Sequence, residues 1–162
     1  MPTLHAIALR RRSVLLFAAT LLASAAAIAA PPVNTLKPGF FGGRGEVAIV
    51  GYDPVAYFTV GQAVKGQEGL SAEWMGATWR FSSAANLALF KAAPEKYAPQ
   101  YGGYCAYGVS QDKLVSIEPD KFRIVDGKLY LNYDADVQAR WLKDPAGYIR
   151  QADAHFGALL KK

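Results

Sequence analysis

Apolar residues fall along this chain in three kinds of pattern, and each predicts a different structure. Over residues 14–28 they run almost unbroken, interrupted by Thr20 and Ser24, with Arg10-Arg11-Arg12 ahead. Roughly 15 residues fall short of the ~20 that cross a bilayer, so the run predicts an export signal rather than part of the fold. Ala27-Ile28-Ala29 is a small-x-small cleavage pattern followed by Pro31-Pro32, which places the cut after Ala29. Arg11-Arg12-Ser13-Val14-Leu15 also resembles a twin-arginine signal, so both export routes stay open. From residue 30 to 45 periodicity gives way to Pro and Gly, predicting an extended arm or tether with Phe40-Phe41 docked on the body.

Beyond the arm, strand-like and helix-like periods alternate. Residues 46–50 have the apolar density of a short strand. Asp53 ahead of Pro54 suits the cap of a helical turn. Residues 72–75 and 78–81 flank Gly76-Ala77, a hairpin signal. Ser82 or Ser83 then caps a helix whose Ala85, Leu89 and Phe90 share a face. Pro94 starts a second short helix through Tyr97 and Gln100. Residues 122–125 and 128–133 meet at Asp126-Gly127, a strong hairpin turn, with Phe122 and Ile124 on one side and Arg123 and Val125 on the other. Asp134 caps a helix through Trp141. Asp144-Pro145 caps the last, whose Tyr148, Ala152, His155 and Phe156 share a face. No internal repeat is present. The pattern predicts one small α+β domain over residues 46–162, with two β-hairpins, a helical pair and C-terminal helices.

Charge changes the picture once the signal is removed. Residues 1–29 hold three of the 18 basic residues and none of the 13 acids, so the net charge falls from +5 to +2. No Lys/Arg cluster survives, which excludes a nucleic-acid role built on phosphate contacts. The remaining chain, about 133 residues, is the size of one domain. The mature part contains no membrane-spanning run.

Candidate chemistry centres on the single cysteine, Cys105, in Tyr101-Gly102-Gly103-Tyr104-Cys105-Ala106-Tyr107-Gly108. An exported lone thiol cannot pair within its own chain. It packs as a small apolar residue, bonds to something else, or serves for its chemistry. Gly102, Gly103 and Gly108 favour an irregular loop where backbone approaches a ligand. No Lys, Arg or His lies within six residues on either side, so only a feature such as a helix N-terminus would lower the thiol pKa. Tyr97, Tyr101, Tyr104 and Tyr107 either cover the core edge or line a thiol pocket. His155, the one histidine after residue 29, is either a satisfied helix residue or a partner for Cys105. Asp134, Asp136, Asp144 and Asp153 fall at helix starts or on solvated faces, so no oxygen-ligand metal site is expected. Ser82-Ser83 lacks a nucleophile-elbow pattern and reads as a cap.

Three blocks together resemble YHS-domain proteins of the exported bacterial type. They are residues 51–58 (Gly-Tyr-Asp-Pro-Val-Ala-Tyr-Phe); Trp79-Arg-Phe-Ser-Ser83 with Phe90 and Pro94-Glu-Lys-Tyr97; and residues 101–107 with Asp126-Gly-Lys-Leu-Tyr-Leu-Asn-Tyr133. YHS domains attached to metal-transporting ATPases carry cysteines thought to bind soft metals. The matching positions here are Ala56, Ser82 and Asn86, which offer no thiolate. The resemblance thus implies the scaffold without its metal site, and structural zinc is not expected. Some exported relatives place selenocysteine at the position of Cys105, which implies redox chemistry there. The candidate site is therefore Cys105 as the reactive residue and Tyr101, Gly102, Gly103, Tyr104 and Tyr107 as its pocket. Cys105 and His155 are the metal-ligating candidates, with a soft ion as the cofactor to consider. The implied function is a periplasmic module that handles a metal or oxidant through Cys105 by binding. A peroxidatic or exchange enzyme and a non-catalytic module for a partner or small ligand are the alternatives.

Overall fold

The computed structural model describes residues 29–37 and 45–162. All of the export signal except Ala29, and the Phe40-Phe41 pair, lie outside the described residues. Strand β1 (Gln67–Trp74) pairs antiparallel with β2 (Ala77–Phe81). The turn is Met75-Gly76, one residue ahead of the sequence expectation. Met75 and Gly76 take φ values of 49° and 75°, the left-handed backbone that a two-residue hairpin turn uses. Along β2, Ala77, Trp79 and Phe81 face inward and are buried, with Thr78 and Arg80 between them.

Ser83 caps α2 (Ala84–Ala92), accepting the Asn86 N–H at 3.1 Å. Phe90 brings that helix onto the hairpin, 5.3 Å from Trp79 and 5.1 Å from Phe81 between ring centres. Ala85 and Leu89, expected on the same face, are exposed instead. The helix is rotated so that Asn86 points inward, where a carboxylate receives it. Next, α3 (Pro94–Tyr97) ends before Gln100, because Ala98 precedes Pro99 and is extended.

Residues 46–50 are not a strand. Val47 makes a single bridge to Thr78, and Ala48–Gly51 form a 3-10 turn in which Ile49 and Val50 have left-handed backbone. The apolar density there records burial, since Ala48 and Ile49 are fully enclosed, and a short apolar run does not reveal its backbone. The described part of the arm is not a tether either. Val33, Asn34 and Thr35 are buried. Asn34 donates its backbone N–H to Gly102 O (2.9 Å) and its Nδ2 to Gly103 O (2.8 Å), and its own carbonyl accepts the Ile49 N–H.

The second hairpin turns at Asp126-Gly127 as expected, joining β3 (Glu118–Val125) to β4 (Lys128–Asn132). β4 is buried on both faces. Leu129 and Leu131 join the core around Trp79 and Phe81, whereas Tyr130 joins a second cluster with Trp141 and Ala152. That cluster lies under α5 (Ala135–Trp141) and α6 (Pro145–Leu159), capped by Asp134 and Asp144 through the Val137 and Gly147 N–H groups. Tyr148, Ala152, His155 and Phe156 of α6 are all at least partly buried. The architecture is a small α+β domain in which β4 joins both clusters. Among the described residues, no helix is long and apolar enough to cross a membrane.

Candidate functional site

Cys105 follows a left-handed turn (Gln100–Gly103) closed by Tyr104, and opens the short helix α4 (Ala106–Ser110) as its N-cap. Its Sγ accepts the Gly108 N–H at 3.3 Å, and its S–H reaches Asn132 Oδ1 at 3.9 Å. The residue is fully buried. Burial pushes its pKa above the ordinary 9.0, opposed by the Gly108, Tyr133 and Tyr107 N–H groups and assisted by the Asp134 charge. Desolvation outweighs the helix end, so the thiol is neutral at physiological pH.

Beside this sulfur lies a cavity of about 450 Å³. Leu36 and Lys37 come from the arm, Tyr107 and Gln111 from α4 and its C-cap, and Tyr133 and Val137 from the start of α5. The 113–116 segment adds a further part of the described wall. Cys105, Gly108 and Ser116 form its buried end, whereas Lys37, Gln111, Lys113 and Tyr133 are exposed. Ser116 Oγ and, beyond the thiol, Asn132 Nδ2 are buried without a hydrogen-bond partner among the described residues.

Of the predicted pocket residues Tyr101, Gly102, Gly103, Tyr104 and Tyr107, Tyr107 alone joins Cys105 in the lining. Tyr101 donates its hydroxyl to Asp153 Oδ1 (2.9 Å) and Ile149 O (3.3 Å), tying the turn to α6. Desolvation, then that carboxylate, raises its pKa. Tyr104 donates to Pro31 O at 3.1 Å. Gly102 lets the arm approach, since a Cβ there would fall 1.8 Å from Pro32 O, and Gly103 lets the Ala48–Gly51 turn approach, since a Cβ there would fall 2.5 Å from Ile49 Cγ2. These four residues fasten the arm and α6 behind the site. Tyr97 is buried edge-on to Phe58. His155 packs behind α4, its Nδ1 3.3 Å from Val109 O, and no hydrogen bond joins it to Cys105. Among the described residues, no group of three or more His, Cys, Asp or Glu is placed to hold a metal ion.

A second polar centre was legible only in part. Asp53 is indeed a cap, its Oδ1 accepting the Val55 and Ala56 N–H groups at 2.9 and 3.3 Å. It starts α1 (Ala56–Thr59). Its Oδ2 also accepts from Ser82 N (2.8 Å), Ser82 Oγ (2.6 Å) and Asn86 Nδ2 (2.7 Å). The three positions equated above with metal-binding cysteines thus all meet one buried carboxylate. The four-residue spacing of Ser82 and Asn86 was the available signal; a shared acceptor 29 residues away from Ser82 leaves no local pattern.

Residues 55–101 match the model of the YHS domain. The chain carries a YHS domain. It runs from the start of α1 through β1, β2, α2 and α3 to Tyr101, a minority of the 162 residues. No curated protein and no solved structure matches the chain. Every described residue lining the cavity lies outside the matched segment, although Cys105 shares a core with its Trp79 and Phe81.

Proposed function

We infer that this protein is an exported binding module in which the YHS domain serves as scaffold and the cavity beside Cys105 takes a small organic ligand. The observation that carries this reading is a fully buried thiol, held protonated, in the wall of a cavity that opens to solvent. A volume of about 450 Å³ falls within the range of small-molecule sites. The unpartnered Ser116 hydroxyl in the lining favours an occupant with a polar atom at that end. A peroxidatic or exchange enzyme needs a thiolate and a resolving partner. Burial opposes the first, and a single cysteine supplies no second thiol. Soft-metal capture likewise needs a deprotonated sulfur. Export rests on the signal read in residues 1–29.

Titration with the neutral fluorophore aminoanthracene tests the reading. Saturable enhancement is expected. Val137→Trp and Leu114→Trp, which fill the cavity from two separate segments of its lining, should abolish it while a cooperative melting transition remains. Enhancement unaffected by both substitutions, or none in the parent protein, overturns the reading.

A further inference from the structure

We propose that the cavity beside Cys105 selects an amphipathic organic monoanion, a small molecule with an apolar body and one carboxylate; this rests on reading the cavity as a ligand site. Among the described residues, the charged members of the lining are Lys37 and Lys113, both exposed. Neither forms an ion pair among the described residues, whose ion-paired cations are Arg80, Lys121 and Lys162. All 13 acids of the sequence lie between Glu46 and Asp153, within the described residues, and none lines the cavity. Three acids adjoin lining residues in sequence; Asp136, beside Val137, is exposed and outside the lining, and the other two are engaged. Asp112, adjoining Lys113, pairs with Lys162 at 2.5 Å, and Asp134 accepts the Val137 N–H at 2.7 Å. Two lysines therefore line the cavity with no acid among the described lining residues, and low-dielectric walls concentrate the field of such charges.

The rest of the wall sets the other half of the preference. Leu36, Leu114, Val115 and Val137 supply apolar surface, while the buried end holds a neutral thiol and the Ser116 hydroxyl. A cation meets repulsion at the mouth. A dianion with separated charges would have to place one against Val115 and the protonated sulfur, at the desolvation cost of an unpaired charge. An apolar tail led in by a carboxylate held at the lysines meets neither penalty.

Calorimetric titration of the purified protein with octanoate, octanamide and octylammonium tests the preference. Octanoate is expected to bind about tenfold more tightly than octanamide, with octylammonium weakest and added salt weakening octanoate alone. In a Lys37→Gln/Lys113→Gln double variant, octanoate should fall to the octanamide level while octanamide is unchanged. Both substitutions are at exposed side chains, and an unchanged melting temperature confirms that the fold is kept. Equal binding of octanoate and octanamide in the parent protein overturns the anion preference but leaves the ligand site standing. Failure of all three to bind or to displace aminoanthracene removes both.

Discussion

Asp53 and Cys105 are both fully enclosed, and the fold accommodates them by opposite means. Asp53 is surrounded by five donor contacts, so desolvation is offset by hydrogen bonds. Cys105 receives the Gly108 N–H close to its sulfur, too little to offset burial, and its pKa rises. The sign of the consequence is fixed. A thiol whose folded pKa lies above its unfolded one contributes stability below the unfolded value, near 9.0, and that contribution is lost as pH rises through the folded value. Denaturation of Cys105→Ala across alkaline pH should therefore show a shallower loss of stability than the parent above about pH 9. Tyr57 and Tyr101, also shifted upward by burial, keep some slope in both proteins. Iodoacetamide should label folded Cys105 far more slowly at neutral pH than the denatured chain. Equal rates would mean the sulfur is reachable as thiolate.

Among the elements, the arm decides most about the site. Residues 30–37 clamp two left-handed turns at once through Asn34, and then supply Leu36 and Lys37 to the cavity wall. The contact depends on Gly102, whose φ of 60° and close approach to Pro32 O leave no room for a side chain. Gly102→Ala should displace the arm, lowering stability by about 1–3 kcal/mol, weakening aminoanthracene binding and exposing residues 30–37 to proteolysis. Gly61→Ala is the control: its φ is 68°, but nothing lies within 4 Å of the added carbon. It should cost backbone strain alone and leave the probe bound. A Gly102→Ala protein that binds the probe normally would detach the arm from the site.

For the whole molecule, Asp53 ties α1, the end of β2 and the start of α2 at the positions where the resemblance would put metal-binding cysteines. Cohesion of this half therefore comes from hydrogen bonds to a carboxylate and from the aromatic packing of Trp79, Phe81 and Phe90. The melting temperature should be the same with and without EDTA. Asp53→Ala should instead destabilise by about 3 kcal/mol or more in chemical denaturation, because it leaves buried donors at Ser82, Asn86 and Val55 without an acceptor. Unfolding by EDTA, or an undiminished Asp53→Ala protein, would show that something other than this network holds the half together.

The sequence by itself determined the features that local chemistry dictates. Asp126-Gly127 turns the second hairpin because both residues adopt left-handed backbone readily. Ser83, Asp134 and Asp144 cap helices because their oxygens reach amides three residues on. Alternation in β2 and the spacing of Ala152 and Phe156 reveal which faces are buried. Only the tertiary structure decided whether the tyrosine loop was a pocket, which way Asn86 points, and what the arm does. Tyr101, Tyr104 and Tyr107 carry the same side chain a few residues apart. Yet Asp153 claims the first hydroxyl, Pro31 the second, and the cavity the third ring, through partners as many as 73 residues away. The cavity is assembled the same way, from the arm, α4, the 113–116 segment and α5. Local periodicity encodes burial within an element, whereas the neighbour that buries it is set by long-range packing.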